Sequence, residues 1–373
     1  MLNRRMTRTV MVGAVPIGGG NRISVQSMTT TDTRDSHATS VQVAELADAG
    51  CDIVRVAVPD MAAAAALRAV VAAASVPIVA DIHFDHRLAL AALEAGVAKL
   101  RINPGNIGAR ERVAAVAEAA RERGVPIRIG VNAGSLEREL LRDVETGART
   151  LADAMAESAL REARVLEECG FADIVLSVKA SNVPATIAAY RQLAARCAYP
   201  LHLGVTEAGT RRRGMIKSAA GIGALLAEGI GDTLRVSLSA APVEEVQVGR
   251  MLLQALELRP YGPEIVSCPT CGRAQVDVIS IAEELERRIA GDDELRRAIC
   301  TVAVMGCVVN GPGEARAADV GFAGGKGEGL LFRKGEPVCK VSATEAVERL
   351  IEEMRALNAH DRTTGNDDTQ RNT

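Results

Sequence analysis

Asp52-Ile-Val-Arg-Val-Ala-Val58 is followed by an alanine-rich stretch, residues 60–74, and then by Pro77-Ile-Val-Ala-Asp-Ile-His83. Two short β-rich runs on either side of a helix-length segment read as one strand–helix–strand unit, whose strands lie parallel. The pattern repeats outward in both directions. Strand-like runs fall at 23–28, 52–58, 77–83, 99–103, 126–132, 173–179, 201–206 and 233–239. Helices are predicted at about 40–49, 60–74, 86–95, 109–123, 150–169, 183–197, 214–228 and 242–258. Eight consecutive repeats argue a closed (β/α)8 barrel with its first strand against its eighth; a doubly wound open sheet is the alternative. Residues 9–20 alternate Val with Gly and Pro, which reads as a hairpin plugging the barrel bottom.

The chain has 373 residues, long enough for one large and one small domain. Residues 1–258 are the barrel with its hairpin, and 259–264, with two prolines and a glycine, are a linker. Residues 265–357 form a smaller α/β unit: an apolar pair at 265–266, a helix at 277–290, strands at 301–305 and 329–332, and a helix at 343–357. The glycine-rich stretch 321–329 reads as a hairpin turn in preference to a phosphate cradle. The polar tail 358–373 is expected to be disordered. Aromatic residues make up only 2% of the chain, so the core must be Ala, Val, Leu and Ile. A net charge of −3 argues against a nucleic-acid partner. The uncharged run 69–80 is short and broken at Pro77, which argues against a membrane span. Eight cysteines without an apolar leader do not read as a disulfide framework, and a cytoplasmic location is expected.

In a barrel, functional groups gather at the C-terminal ends of the strands. There the sequence places Arg55, Asp81, His83, Arg101, Asn103, Arg128, Asn132, Ser177, Lys179, His202, Glu207, Arg235 and Ser237. Five of these are cations in otherwise apolar strands, against two acids. An unpaired buried charge is costly, so the excess calls for an anionic ligand, and arginine suits phosphate oxygens. Asp232, Glu244 and Glu245 flank helix starts and read as caps. Cys51, Cys169 and Cys197 read as core.

Cys268-Pro-Thr-Cys271 and Cys307 supply three thiols, and Glu314 follows Cys307 at a distance of seven residues. No histidine lies between residues 203 and 359, which argues against an ordinary Cys/His zinc site. Soft thiolates favour iron–sulfur clusters or zinc. An oxygen donor as fourth ligand suits a cluster whose unique iron exchanges its ligand for substrate. A structural zinc half-site or a redox pair, with Glu314 an ordinary loop acid, is the other reading of the same residues. Cys300 and Cys339 read as buried thiols.

These strings, CPTCGR (268–273) and MGCVVNGPGEA (305–315), resemble the bacterial 4-hydroxy-3-methylbut-2-enyl diphosphate synthases of the non-mevalonate isoprenoid pathway. VQSMT (25–29), VADIHFDHR (79–87), LRINPGNIG (100–108), PIRIGVNAGSLE (126–137), SVKAS (177–181), LHLGVTEAG (201–209) and EGIGDTLRVSL (228–238) carry the resemblance from about residue 4 to about 356. It implies one 4Fe-4S cluster per chain on Cys268, Cys271, Cys307 and Glu314. It also implies an oxidoreductase that opens and dehydroxylates 2-C-methyl-D-erythritol 2,4-cyclodiphosphate, with electrons from flavodoxin or ferredoxin. Arg55, Arg101, Asn103, Arg128, Asn132, Lys179, His202 and Arg235 are then expected to bind substrate, with Glu207 as proton donor and Glu314 at the cluster. A pterin-binding or aldolase-type barrel with a zinc-stapled appendage, and a non-catalytic iron–sulfur sensor, are the alternatives. Chain direction adds an expectation of its own. The last barrel helix returns to the bottom, and a linker of about ten residues reaches at most roughly 33 Å. A head-to-tail homodimer, each cluster domain capping the partner's barrel, then avoids strain.

Overall fold

The computed structural model describes residues 3–309 and 311–363, the side chains of 360–363 excepted. The chain divides into two compact units after Arg259.

In the first unit a hairpin, β1 (Val10–Val12) and β2 (Val15–Ile17), precedes the barrel. The barrel strands are β3 (Ser24–Met28), β4 (Ile53–Ala57), β5 (Ile78–Asp81), β6 (Lys99–Ile102), β7 (Ile127–Asn132), β8 (Ile174–Lys179), β9 (His202–Leu203) and β10 (Thr233–Leu234). All are parallel in the order β8-β7-β6-β5-β4-β3-β10-β9. A parallel bridge between Leu176 and Leu201 closes the ring, so the chain folds as a TIM-type (β/α)8 barrel. Val12 and Ile17 of the hairpin pack on Ile53 and Val79 and stop the barrel at its N-terminal end.

The last two strands are shorter than the apolar runs 201–206 and 233–239 suggested. Beyond β9 the chain passes Gly204, where a Cβ would stand 2.7 Å from Lys179 Nζ. The backbone there makes room for a cation instead of continuing a ladder. In this unit the helices Pro104–Ile107 and Arg138–Glu145, both on the C-terminal rim, were not predicted. After the last barrel helix, Pro242–Ala255, Arg259 forks onto Asp52 at 2.6 and 2.9 Å and onto the Ile23 carbonyl at 3.2 Å. Ile23 and Asp52 precede β3 and β4, so the chain leaves this unit at the N-terminal rim, opposite the strand-end cations.

The second unit holds a five-stranded sheet: β11 (Glu264–Ser267), β12 (Thr301–Met305), β13 (Val320–Ala323), β14 (Glu328–Arg333) and β15 (Glu336–Ser342). The first three are parallel and the last two antiparallel. Helices Val278–Ala290 and Ala346–Thr363 bury Leu285, Leu350, Ile351 and Met354 against Val302, Val304 and Phe322. Only residues 324–327 of the glycine-rich stretch form the turn between β13 and β14; 321–323 belong to β13 and 328–329 to β14, with Ala323 opposite Leu330. The C-terminal helix runs to Thr363, so 358–363 are helical where disorder was expected. The rest of that predicted tail, 364–373, lies outside the described residues.

Candidate active site: a buried cation cluster and a thiol triad

Alternation along each strand sends every second residue into the barrel. On β4 that residue is Arg55 and on β5 Asp81. On β6 it is Lys99 and Arg101, and on β7 Arg128. Asp81 is the hub. Arg101 Nη1 donates to Asp81 Oδ1 at 3.1 Å, and Arg55 Nε stands 3.7 Å from Oδ2. Burial pushes the Asp81 carboxyl up, but Arg55, His83 and Arg101 together outweigh it and hold it well below the usual carboxylate range. Arg101 Nη2 also donates to the Gly130 carbonyl at 3.1 Å. A Cβ on Gly130 would lie 2.6 Å from Arg101 Nε, so this glycine opens the space the guanidinium fills.

Arg235 forks onto Glu245 at 3.1 and 3.2 Å, and the same carboxylate accepts from Ser27 Oγ and the Leu238 N–H, each at 3.0 Å. Glu245 is thus no simple helix cap. It is buried in the first turn of Pro242–Ala255 and turned toward the barrel wall. Asp232 likewise is tied into the barrel's N-terminal rim, accepting from Leu201 N–H and Thr7 Oγ1.

The remaining cations are not compensated. Arg128 is 1% exposed and Lys99 is fully buried. Among the described residues nothing hydrogen-bonds Lys99 Nζ, Arg128 Nε and Nη2, or either ring nitrogen of the buried His202. Burial first, then neighbouring cations, hold Lys99, Lys179, Arg128 and His202 well below their ordinary values. Lys99 was missed in the sequence because it opens its strand. Its place two residues before Arg101 on the same strand face was the available signal.

A consequence concerns stability. Burial holds the Lys99 ammonium well below the ordinary lysine value of 10.5, so the folded state binds fewer protons than the unfolded chain. The resulting destabilisation is greatest at low pH and fades as pH climbs toward 10.5. Lys99→Met is therefore expected to be more stable than the ligand-free wild type at neutral pH. The margin should shrink by up to about 1.4 kcal/mol per pH unit as pH rises. Chemical denaturation at several pH values reads this out, and a margin independent of pH would contradict it.

The other expected residues sit on the same rim. Asn103 caps Pro104–Ile107, its Oδ1 accepting the Gly105 N–H at 3.2 Å. Asn132 exchanges bonds with Ser135 Oγ. Glu207 is exposed, with φ +52, a left-handed backbone rare outside glycine and often found at functional sites.

In the second unit, Cys268 follows β11 and Cys307 follows β12, so two expected ligands leave the same end of adjacent parallel strands. The Gly306 N–H donates to Cys268 Sγ at 3.3 Å. The backbone N–H and side chain of Arg273 hold the Cys271 thiol below its usual range, and Cys307 is near enough to oppose them. Thr270, between the paired cysteines, has φ +43. Glu314 is exposed in the first turn of Gly311–Ala317. Among the described residues no three His, Cys, Asp or Glu side chains meet at metal-binding distance. Even so, the donor set fits a cluster: soft sulfurs on one edge, a backbone N–H aimed at a sulfur and an arginine beside a second. Cys300 and Cys339 pack against the apolar core instead, half-buried where the sequence suggested full burial. Of the thiols read as core, Cys51 is buried, while Cys169 and Cys197 are half-buried.

Comparison with known proteins accounts for both units together. The chain is 60% identical over 351 residues to 4-hydroxy-3-methylbut-2-en-1-yl diphosphate synthase (flavodoxin) of Geobacter sulfurreducens, spanning 94% of this chain and 98% of the relative. It is 57% identical to the protein of the same name in Clostridium perfringens, covering 95% and 100%. Among solved structures, 3-dehydroquinate dehydratase of Geobacillus kaustophilus aligns with 68% of this chain and 99% of its own, at 17% identity and a TM-score of 0.48. The family model for the GcpE TIM-barrel domain matches residues 7–250, and that for the GcpE protein C-terminal domain matches 264–356. Barrel and thiol-bearing sheet are therefore the two halves of one known arrangement, and the chain belongs to the GcpE family.

Proposed function

We infer that the chain catalyses the two-electron reductive opening of 2-C-methyl-D-erythritol 2,4-cyclodiphosphate to 4-hydroxy-3-methylbut-2-enyl diphosphate, in isoprenoid precursor biosynthesis. Relatives bearing the synthase name span nearly the whole chain. The observation that carries the reading is the buried cation excess of the barrel, which a diphosphate neutralises. Arg55, Arg101, Arg128, Lys179 and Arg235 hold the two phosphates, with Asn103, Asn132 and His202 as neutral partners. Asp81 and Glu245 fix Arg101 and Arg235 so that their forks are already oriented when substrate arrives. Glu207 hands a proton to the departing oxygen.

Cys268, Cys271, Cys307 and Glu314 would hold one 4Fe-4S cluster per chain, supplying single electrons at low potential and a Lewis-acidic iron. Reduced flavodoxin is the donor, following the names of the relatives, with ferredoxin as its substitute. Among the described residues no helix is long and apolar enough to cross a membrane. We read the enzyme as cytoplasmic. Anaerobically purified protein should contain iron and sulfide and convert the cyclic diphosphate with reduced flavodoxin. Iron-replete protein that leaves the cyclic diphosphate untouched would exclude the reading.

The active unit is a head-to-tail homodimer. Its support is the exit of the chain at the N-terminal rim, pinned by Arg259, together with the short linker. Mixing Cys307→Ser with Arg128→Met subunits, with subunit exchange verified, should restore activity, because one pocket in the mixed dimer keeps both halves intact. No recovery would rule out a site shared between subunits.

A further inference from the structure

Glu162 lies on helix Leu151–Glu168, apart from the strand-end cations and the thiol motifs, and is 6% exposed. Its Oε2 accepts the Gly105 N–H at 2.7 Å, a shorter bond than the 3.2 Å one from the same N–H to Asn103 Oδ1. A Cβ on Gly105 would stand 2.4 Å from Glu162 Oε1. Gly105 has no left-handed φ, so what the position requires of glycine is close approach to this carboxylate. The turn it holds follows β6 directly, two residues after Asn103 and four after Arg101.

We propose that Glu162 is a positioning residue for the diphosphate pocket: by clamping the Gly105 N–H it fixes the turn that carries Asn103. This rests on the function proposed above. Of the Asn103 side chain the Gly105 N–H engages only Oδ1, so Asn103 keeps its Nδ2 donor for an acceptor in the pocket. The charged groups around Glu162 are Glu137 from the segment after β7, Arg110 from Arg110–Glu122, and Arg161 and Glu168 from its own helix. Arg110 is paired with Glu168, and Arg161 with Glu139 and Glu157. Burial, with Glu137 adding to it and the Gly105 N–H opposing, pushes the Glu162 carboxyl up to about 7. The clamp therefore changes from a neutral to a charge-assisted bond across neutral pH, and the ionised form holds the turn more firmly.

The test uses iron-free full-length protein and two readouts: amide deuterium exchange of residues 103–109, corrected for intrinsic rates, and affinity for the cyclic diphosphate. Glu162→Ala should raise exchange and weaken binding, each on the order of tenfold, as for one lost hydrogen bond to a charged group. Glu162→Gln keeps an acceptor, so it should retain most of the affinity while losing the rise in protection between pH 6 and 8. Gly105→Ala should reproduce Glu162→Ala, and the double variant should be no worse than either. Wild-type protection in Glu162→Ala overturns the clamp. Lost protection with unchanged affinity overturns its positioning role. If the wild type ignores the cyclic diphosphate, the proposed function fails separately; inorganic pyrophosphate then replaces it as probe, and the same two outcomes decide.

Discussion

A Cys307→Ser protein is expected to leave anaerobic purification colourless, without bound iron and without turnover, while still binding the cyclic diphosphate. Serine matches cysteine in shape but offers a hydroxyl that stays protonated at neutral pH, where a low-potential cluster needs a soft thiolate. Cys307 follows β12 and Cys268 follows the adjacent β11, so losing either removes one of the thiols that two parallel strands deliver to one edge. Cys307 belongs to the second unit and the proposed diphosphate contacts to the first, which is why substrate binding should survive. Cys300→Ser and Cys339→Ser are the controls. Both thiols lean on the apolar core between the sheet and its helices, so these variants should keep their iron. Glu314→Ala separates the carboxylate from the sulfurs: turnover should fall even where iron is retained. If Cys300→Ser loses the iron while Glu314→Ala keeps both iron and turnover, the ligand set is wrong.

How much of this was legible beforehand depends on which signal each part carries. The barrel was readable because its period is long and its strands, covered on both faces, are continuous apolar runs. The five-stranded sheet was harder. β15 is an edge strand with Pro337 and Lys340, mostly exposed, and its pairing with β14 shifts at Leu331/Phe332, so no clean alternation survives. β13, Val-Gly-Phe-Ala, was hidden in the glycine-rich stretch. The helix Gly311–Ala317 begins Gly-Pro-Gly, which reads as a turn, although proline is at home in a first helical turn. In the site, the arginines stood out because charge is rare inside apolar strands. Glu245 did not, since an acid in a first helical turn has an adequate local explanation. Only the fold shows that it meets Arg235. Glu162 had no signal at all: it is one acid among many on a long helix, and its partner is a backbone N–H 57 residues away.

Arg128→Met should separate stability from function. Arg128 is buried, two of its guanidinium nitrogens lack a partner among the described residues, and Arg55 and Arg101 oppose its charge. In the ligand-free protein this is a desolvated charge facing like charges, with Asp81 as the acid opposing them. Replacing it with an apolar side chain of similar length removes that cost, so the free variant should melt at or above the wild-type temperature. On the proposed function, the same replacement leaves a phosphate oxygen without its partner at a buried site. Losing one side of a desolvated charge pair costs on the order of 2–5 kcal/mol, roughly thirty- to several-thousand-fold in affinity. Arg235→Met makes the contrast. Its guanidinium is already neutralised by Glu245, so removing it strands a buried carboxylate that also holds Ser27 and Leu238, and the free protein should lose stability. Calorimetric titration of iron-free protein gives the affinity, and thermal melts without ligand give the stability. An Arg128→Met protein that melts well below the wild type yet binds substrate normally would show Arg128 to be a structural residue, and the anion would have to be held elsewhere.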